Sequence, residues 1–159
     1  MDPDPEPLFL FLSSIDFLTS INLIAVLVLL ICSALISGTE VAFFSLSQTD
    51  LNQLSNDSKE QNIIVTLLER PRKLLATILI TNNFINILIV LLFASLAETL
   101  FGSFDYQLNL YYFKIPIRFL IEIVLVTFLI LLFGEVLPKV YASRNALRFS
   151  KWMSKFINV

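Results

Sequence analysis

The stretch INLIAVLVLLICSALISGTEVAFFSL, residues 21–46, decides the fold. From Leu23 to Ile36 it is an almost unbroken series of Leu, Ile, Val and Ala. Crossing a bilayer core takes about 20 apolar residues of α-helix, and this run supplies them. Its second half turns polar, as Ser37-Gly38-Thr39-Glu40. A carboxylate inside a span is costly and by default marks a functional position.

Two more runs follow. Residues 74–100 are apolar, interrupted by Thr77, Thr81-Asn82-Asn83, Asn86 and Ser95. The third run starts near Pro116 and ends at Leu137, with Arg118 and Glu122 near its start and Gly134-Glu135 near its end. These runs predict an all-α membrane protein, with three transmembrane helices plus short amphipathic juxtamembrane helices.

Composition agrees. The 159 residues are 57% hydrophobic and 15% charged, with mean hydropathy +0.81. Soluble domains run nearer 45–50% apolar and about 25% charged, so the surplus apolar surface belongs in lipid. A net charge of −2 gives no bulk attraction to nucleic acid, and no nucleic-acid partner is expected. The chain has no His and one Cys, Cys32. That excludes an internal disulfide, a His/Cys zinc site and the His-dependent nucleophile systems. No enzyme is expected.

Between the runs lie charged segments. Residues 1–20 are acidic and rich in proline, with no Lys or Arg, and lack the basic n-region of a signal peptide. Residues 47–72 interleave charge with Leu and Ile and open on Ser47-Gln48-Thr49-Asp50, which resembles a capping box. They read as one or two amphipathic helices on the membrane surface, the alternative being a solvated linker. Residues 102–112 read as a turn-rich loop. Residues 139–159 form a basic amphipathic tail: Arg144, Arg148, Lys151 and Lys155 recur at helical spacing, while Phe149, Trp152, Met153 and Phe156 offer an apolar side. Such a segment suits an anionic leaflet. The expected organisation is an extracytoplasmic segment 1–20, a three-span domain 21–138, and a juxtamembrane helix 139–159. Lys59, Arg70, Arg72 and Lys73 share one side with the basic tail, against Lys114 and Arg118 on the other. The positive-inside rule then predicts the N-terminus outside and the tail in the cytoplasm.

Three polar clusters remain inside the spans: Ser37/Gly38/Glu40, Asn82/Asn83/Asn86 and Gly134/Glu135/Pro138. Asn82 and Asn86 share a helix face, as do Ser37 and Glu40. Polar faces on apolar spans point inward. Pro138 has no N–H, so in an α-helix the carbonyl of Gly134, four residues back, loses its partner. Broken-helix carbonyls serve as cation ligands in transporters. The candidate ligands are thus all oxygen, which suits hard cations such as Mg²⁺, Ca²⁺ and Na⁺. Ionised Glu40 and Glu135 would balance one divalent ion. Mg²⁺ sheds water reluctantly, so a partly hydrated ion, or Na⁺, stays open. Blander readings stand beside this one. Asn and Ser in spans often only bridge neighbouring helices, at about 1 kcal/mol each. Glu135 and Lys139, four apart, can form a simple pair, as can Arg118 and Glu122. Gly38 can serve only close packing, or act with Pro138 as a bending point during transport.

Taken together, residues 37–45 (SGTEVAFFS), residues 82–86 (NNFIN) and residues 133–139 (FGEVLPK), with Leu68-Glu69-Arg70-Pro71 before the second span, resemble the transmembrane domain of the CNNM/CorC family, also called DUF21. The likeness covers roughly residues 21–159. It implies a homodimeric domain of the bacterial inner membrane that binds and transports Mg²⁺, with Na⁺ as coupling ion. It implies cytoplasmic CBS modules, often followed by a CorC/HlyC-type domain, so this chain would be a membrane domain from a longer protein. It implies an ion site on Ser37, Asn82, Asn86, Gly134 and Glu135, with Glu40, Asn83, Pro138 and Lys139 around it. The family often has Gly where this chain has Thr81, which bears on close packing there. Within the family the chain is similar to gliding-motility-associated members of Bacteroidetes-type bacteria. A scaffold that anchors CBS-type modules and stabilises a partner membrane complex, without moving ions, is the alternative.

Overall fold

A computed structural model describes residues 16–54, 58–101, 107–110 and 113–157. Most of the acidic N-terminal segment and most of the 102–112 loop lie outside the described residues.

Helix α1 (Phe17–Phe44) begins ahead of the expected run because Phe17 and Leu18 join its apolar surface. Asp16 precedes it in extended conformation, and its carbonyl accepts from the N–H and the Oγ of Ser20 at 3.0 and 3.3 Å. The helix closes with the Ser45 N–H bonding the Val41 carbonyl. Helix α2 (Gln48–Leu54) opens on the expected capping box: Asp50 Oδ2 accepts from the Ser47 N–H at 2.9 Å, and the Asp50 N–H donates to Ser47 Oγ at 3.2 Å. Each of two orphan donors is thereby satisfied. Helix α3 (Ser58–Leu68) follows, and α4 (Pro71–Phe101) starts on proline, whose missing N–H costs nothing at a first helical position. So residues 47–72 form two short helices rather than a linker.

Two short strands, β1 (Gln107–Leu110) and β2 (Phe113–Pro116), pair antiparallel with Gln107 opposite Pro116 and Leu110 opposite Phe113. The expected loop is therefore partly a hairpin. Helix α5 (Ile117–Leu129) leads into a π-helical segment (Ile130–Val136), then α6 (Leu137–Arg144) and α7 (Ala146–Ile157). The chain turns at Asn145, with φ −131° and ψ 40°. The expected tail helix is thus divided: its first residues prolong the third span, and only α7 is separate.

Three segments are long and apolar enough to cross a membrane: Phe17–Phe44, Pro71–Leu100 and Ile117–Arg144, with mean hydropathy 2.6, 2.1 and 2.6. This is the helical three-span architecture expected. Large apolar side chains such as Ile24, Leu79, Ile80, Phe84, Val124 and Phe128 stay exposed on the spans, which soluble packing would not leave and lipid accepts. Inside, Val26 and Leu30 of α1 meet Ile85, Ile89, Phe93 and Ala97 of α4, and Val126 and Ile130 of the third span. A second cluster joins Ala42 and Ala142 to Phe149 and Met153 of α7. A third packs Phe43 on Ile64 of α3. The basic helix α7 therefore docks on the spans through one face, with Ser150 and Ser154 fully buried.

Candidate functional site

Contacts between spans fix their mutual direction. Ser33 of α1 reaches Asn82 and Asn86, while Ile36 and Thr39 line a cavity with Ile78 and Thr77 of α4. Residue numbers rise on α1 as they fall on α4, so the two run antiparallel. Ser33 approaches Gly134, and Glu40 pairs with Lys139, so the third span runs parallel to α1. Polar residues about three turns from the same end of each span are brought to one level.

At that level Ser33 Oγ lies 3.0 Å from Asn82 Oδ1 and 3.0 Å from Asn86 Oδ1. Asn86 Nδ2 donates to Glu135 Oε1 at 3.2 Å. A chain of polar contacts thus links all three spans. Ser33 has one hydroxyl proton. It donates to one amide oxygen and meets the other oxygen to oxygen. Three oxygens converge with one proton among them, an arrangement a cation would complete.

Gly134 makes this approach possible. A Cβ built there would stand 3.0 Å from Ser33 Oγ and 3.5 Å from Ser33 Cβ. Any side chain would push the third span away from α1. Close to this contact, Ser37 is 1% exposed, and its Oγ has no hydrogen-bond partner among the described residues. A helical serine can return its proton to the carbonyl four residues back, as Thr39 does to Leu35 at 2.6 Å. Ser37 does not. An unpartnered buried hydroxyl costs about 1–3 kcal/mol.

Of the residues expected at the site, Asn82, Asn86, Gly134 and Glu135 come together. Ser37 lies one helical turn along α1 from Ser33, on the same face. Asn83 is exposed and turned out of the cluster. Glu40 Oε2 is 3.4 Å from Lys139 Nζ. Lys139 therefore answers Glu40 rather than Glu135, which accepts from Asn86. The bland pair Arg118–Glu122 forms at 2.6 Å, away from the cluster.

Pro138 is half-buried at the start of α6. The turn before it is wider than an α-helix: the N–H of Leu137 bonds the carbonyl of Leu132, five residues back. In that register the carbonyl facing the missing N–H of Pro138 is that of Phe133, where a plain α-helix would make it Gly134. The segment is an irregular backbone beside the polar cluster, and the identity of its open carbonyl depends on the register. Gly38, in contrast, lies inside unbroken helix. The space it leaves is filled by Phe149, whose Cζ would stand 2.7 Å from a Cβ there.

Ser33 is the residue sequence reasoning missed. By itself a serine among the small residues of α1 signals only close helix packing. Its signal is its position four residues before Ser37, which extends one polar face through Ser33, Ser37 and Glu40. Among the described residues no group of three or more His, Cys, Asp and Glu gathers. The cluster is one of hydroxyl and amide oxygens with a single carboxylate.

Three membrane-crossing helices joined by a partly buried, oxygen-rich polar chain define a polytopic membrane domain with an internal polar site. The chain belongs to the CNNM family: residues 23–159 match its Cyclin M transmembrane N-terminal domain. It is also similar to a UPF0053 protein of Haemophilus influenzae strain Rd, 30% identical over 135 residues. That alignment takes in 84% of this chain and 29% of the relative, so the chain spans well under half of that protein's length.

Proposed function

We propose that this domain binds Mg²⁺ between its spans and carries it across the membrane, with Na⁺ as coupling ion and export as the direction. The carrying observation is Ser33 Oγ at 3.0 Å from the oxygens of both Asn82 and Asn86, with Asn86 tied to Glu135. Hydroxyl, amide and carboxylate oxygens suit a hard cation. Ser37, Glu40 and the backbone around Gly134 and Pro138 complete the surroundings. Family membership supports Mg²⁺ over other hard cations.

Charge bears on the choice of ion. Glu40 is paired with Lys139, so Glu135 alone supplies unshared negative charge to the cluster. One negative charge balances Na⁺. A divalent ion gains when Lys139 releases Glu40. This supports two states of the site, one favouring each ion, and the wide turn before Pro138 is a natural place for the change.

Two features support the wider setting. Asn83 is exposed on a span, with no hydrogen-bond partner among the described residues. An amide facing hydrocarbon is costly, and a second copy of the domain covering it fits a homodimer. The Lys and Arg residues at the Glu40–Lys139 end fit a bacterial inner-membrane protein with that end in the cytoplasm, where CBS modules would follow α7.

The test is Mg²⁺ binding by the purified protein and by Asn86→Ala and Glu135→Gln, followed by flux into proteoliposomes. Loss of binding in both variants is expected; equal affinity in all three removes the site. A scaffold is the second reading, favoured by the side-chain bridge that Asn86 makes between Ser33 of α1 and Glu135 of the third span. Well-folded protein with no Mg²⁺- or Na⁺-dependent flux would favour it.

A further inference from the structure

Two cavities meet where α1, α3 and α4 converge, at the Glu40–Lys139 end of the spans. The outer one, about 260 Å³, opens beside Thr66, Arg70 and Lys73. The inner one, about 270 Å³, runs along Ile36, Ile78 and Met153. Leu67, Leu74 and Thr77 line both, so the two cavities adjoin.

The two halves differ in chemistry. Arg70 and Lys73 are exposed, and among the described residues neither has an acidic partner. Glu69 and Arg72 flank them, which leaves residues 69–73 with three basic groups against one acidic. The inner half is apolar despite its threonines. Of its three threonines, Thr77 donates from Oγ1 to the Lys73 carbonyl at 2.9 Å and Thr39 from Oγ1 to the Leu35 carbonyl at 2.6 Å, so these two hydroxyl protons are turned back on their own helices.

We propose that the adjoining cavities hold an anionic phospholipid, its phosphate at Arg70 and Lys73 and an acyl chain along Ile36, Leu74, Ile78 and Met153. Location selects a lipid over a free anion. Arg70 and Lys73 bracket the start of the second span, at headgroup level, and the inner cavity lies deeper along that span. Basic groups there attract anionic headgroups, and a cavity lined mostly by apolar side chains along a membrane-crossing helix suits an acyl chain better than a free anion. The inner half also includes Thr81 and Ile36, which are chain neighbours of Asn82 and Ser37. A seated chain would rest on the helical turns that carry the polar cluster. The site is separate from the cation cluster and stands whether or not that cluster binds Mg²⁺.

The test is native mass spectrometry of the intact protein titrated with phosphatidylglycerol or phosphatidylcholine, with inorganic phosphate as competitor. Phosphatidylglycerol is expected to bind more tightly than phosphatidylcholine. Removing a basic residue at the surface weakens binding by about fivefold, so Arg70→Gln/Lys73→Gln should lose on the order of twentyfold. Thr77→Phe blocks the junction of the cavities from an exposed position, and should weaken phosphatidylglycerol binding with every charge in place. Circular dichroism melts verify folding of each variant. Equal binding of the two lipids overturns the proposal. So does unchanged affinity in Thr77→Phe, and so does full displacement by millimolar phosphate, which would mark a free-anion site.

Discussion

Phe149 lies across Gly38, its ring so close that a Cβ on Gly38 would come within 2.7 Å of Cζ. This contact seats the basic helix α7 on α1, one residue beyond Ser37. Edge contacts to Tyr141 and Trp152, at centroid distances of 6.3 and 6.2 Å, hold the ring in place. The helix that leads out of the membrane domain is thereby fixed to the span that lines the polar cluster.

Gly38→Ala tests the contact. Overpacking costs about 1–3 kcal/mol, and better helix propensity returns up to about 1 kcal/mol. Phe149→Ala costs about 3–5 kcal/mol if the site does not collapse. The double variant should be more stable than the sum of the two predicts, because the methyl then enters the vacated space. Thermal melts of the four proteins measure the coupling; strict additivity would show that the ring and the glycine do not confront each other.

How legible was this in the sequence? The spans were, because hydrocarbon demands long apolar runs and residues 23–36 supply one. The capping box at Ser47 and Asp50 was, because it is local. Ser33 was not: a serine among small residues reads as packing, and only the third dimension shows two asparagines converging on it. The π-helical segment was not. Pro138 announces a disturbed helix, but relief of its ring's clash by a wider turn is a backbone choice that no residue in Ile130–Val136 dictates. The partner of Lys139 was not, since spacing offers Glu135 while packing supplies Glu40. Local rules thus succeeded for span length and capping, and failed for the backbone register before Pro138 and for contacts between helices.

Ser37→Ala separates an ion ligand from a buried misfit. Among the described residues the Ser37 hydroxyl has no hydrogen-bond partner, so removing it should raise stability by about 1 kcal/mol without metal. If the hydroxyl serves an ion, added Mg²⁺ should stabilise Ser37→Ala less than wild type. Melting curves with and without Mg²⁺ give both numbers, and an identical Mg²⁺-induced shift would remove Ser37 from the ligand set.

Asp50 gives a pH signature outside the membrane. The Ser47 hydroxyl, then the Ser47 N–H, hold its carboxyl below the ordinary 3.8 and outweigh a small opposing effect of burial. A folded value below the unfolded one means that the capping contribution is present above pH 3.8 and fades as pH falls through the lower folded value. Carbon-13 titration of the Asp50 carboxyl should give a midpoint below 3.8, and Ser47→Ala should move it back up. A midpoint that ignores Ser47 would exclude the capping box in solution.

Lys139→Gln bears on ion choice. The ammonium pairs with Glu40 at 3.4 Å, both side chains more than a third exposed, so the pair itself contributes little stability. Its effect on the cluster is electrostatic. Losing one positive charge takes the local sum of Glu40, Glu135 and Lys139 from −1 to −2. At about 10 Å and an effective dielectric of about 20, a unit charge is worth about 1.7 kcal/mol per cation charge before screening. Exposure and salt reduce that, leaving several-fold tighter binding, and the gain should be larger for Mg²⁺ than for Na⁺ because the interaction scales with ion charge. Isothermal titration with each ion, at low and at physiological salt, measures the ratio. A Lys139→Gln protein that favours both ions equally, or neither, would separate the Glu40–Lys139 pair from ion selection.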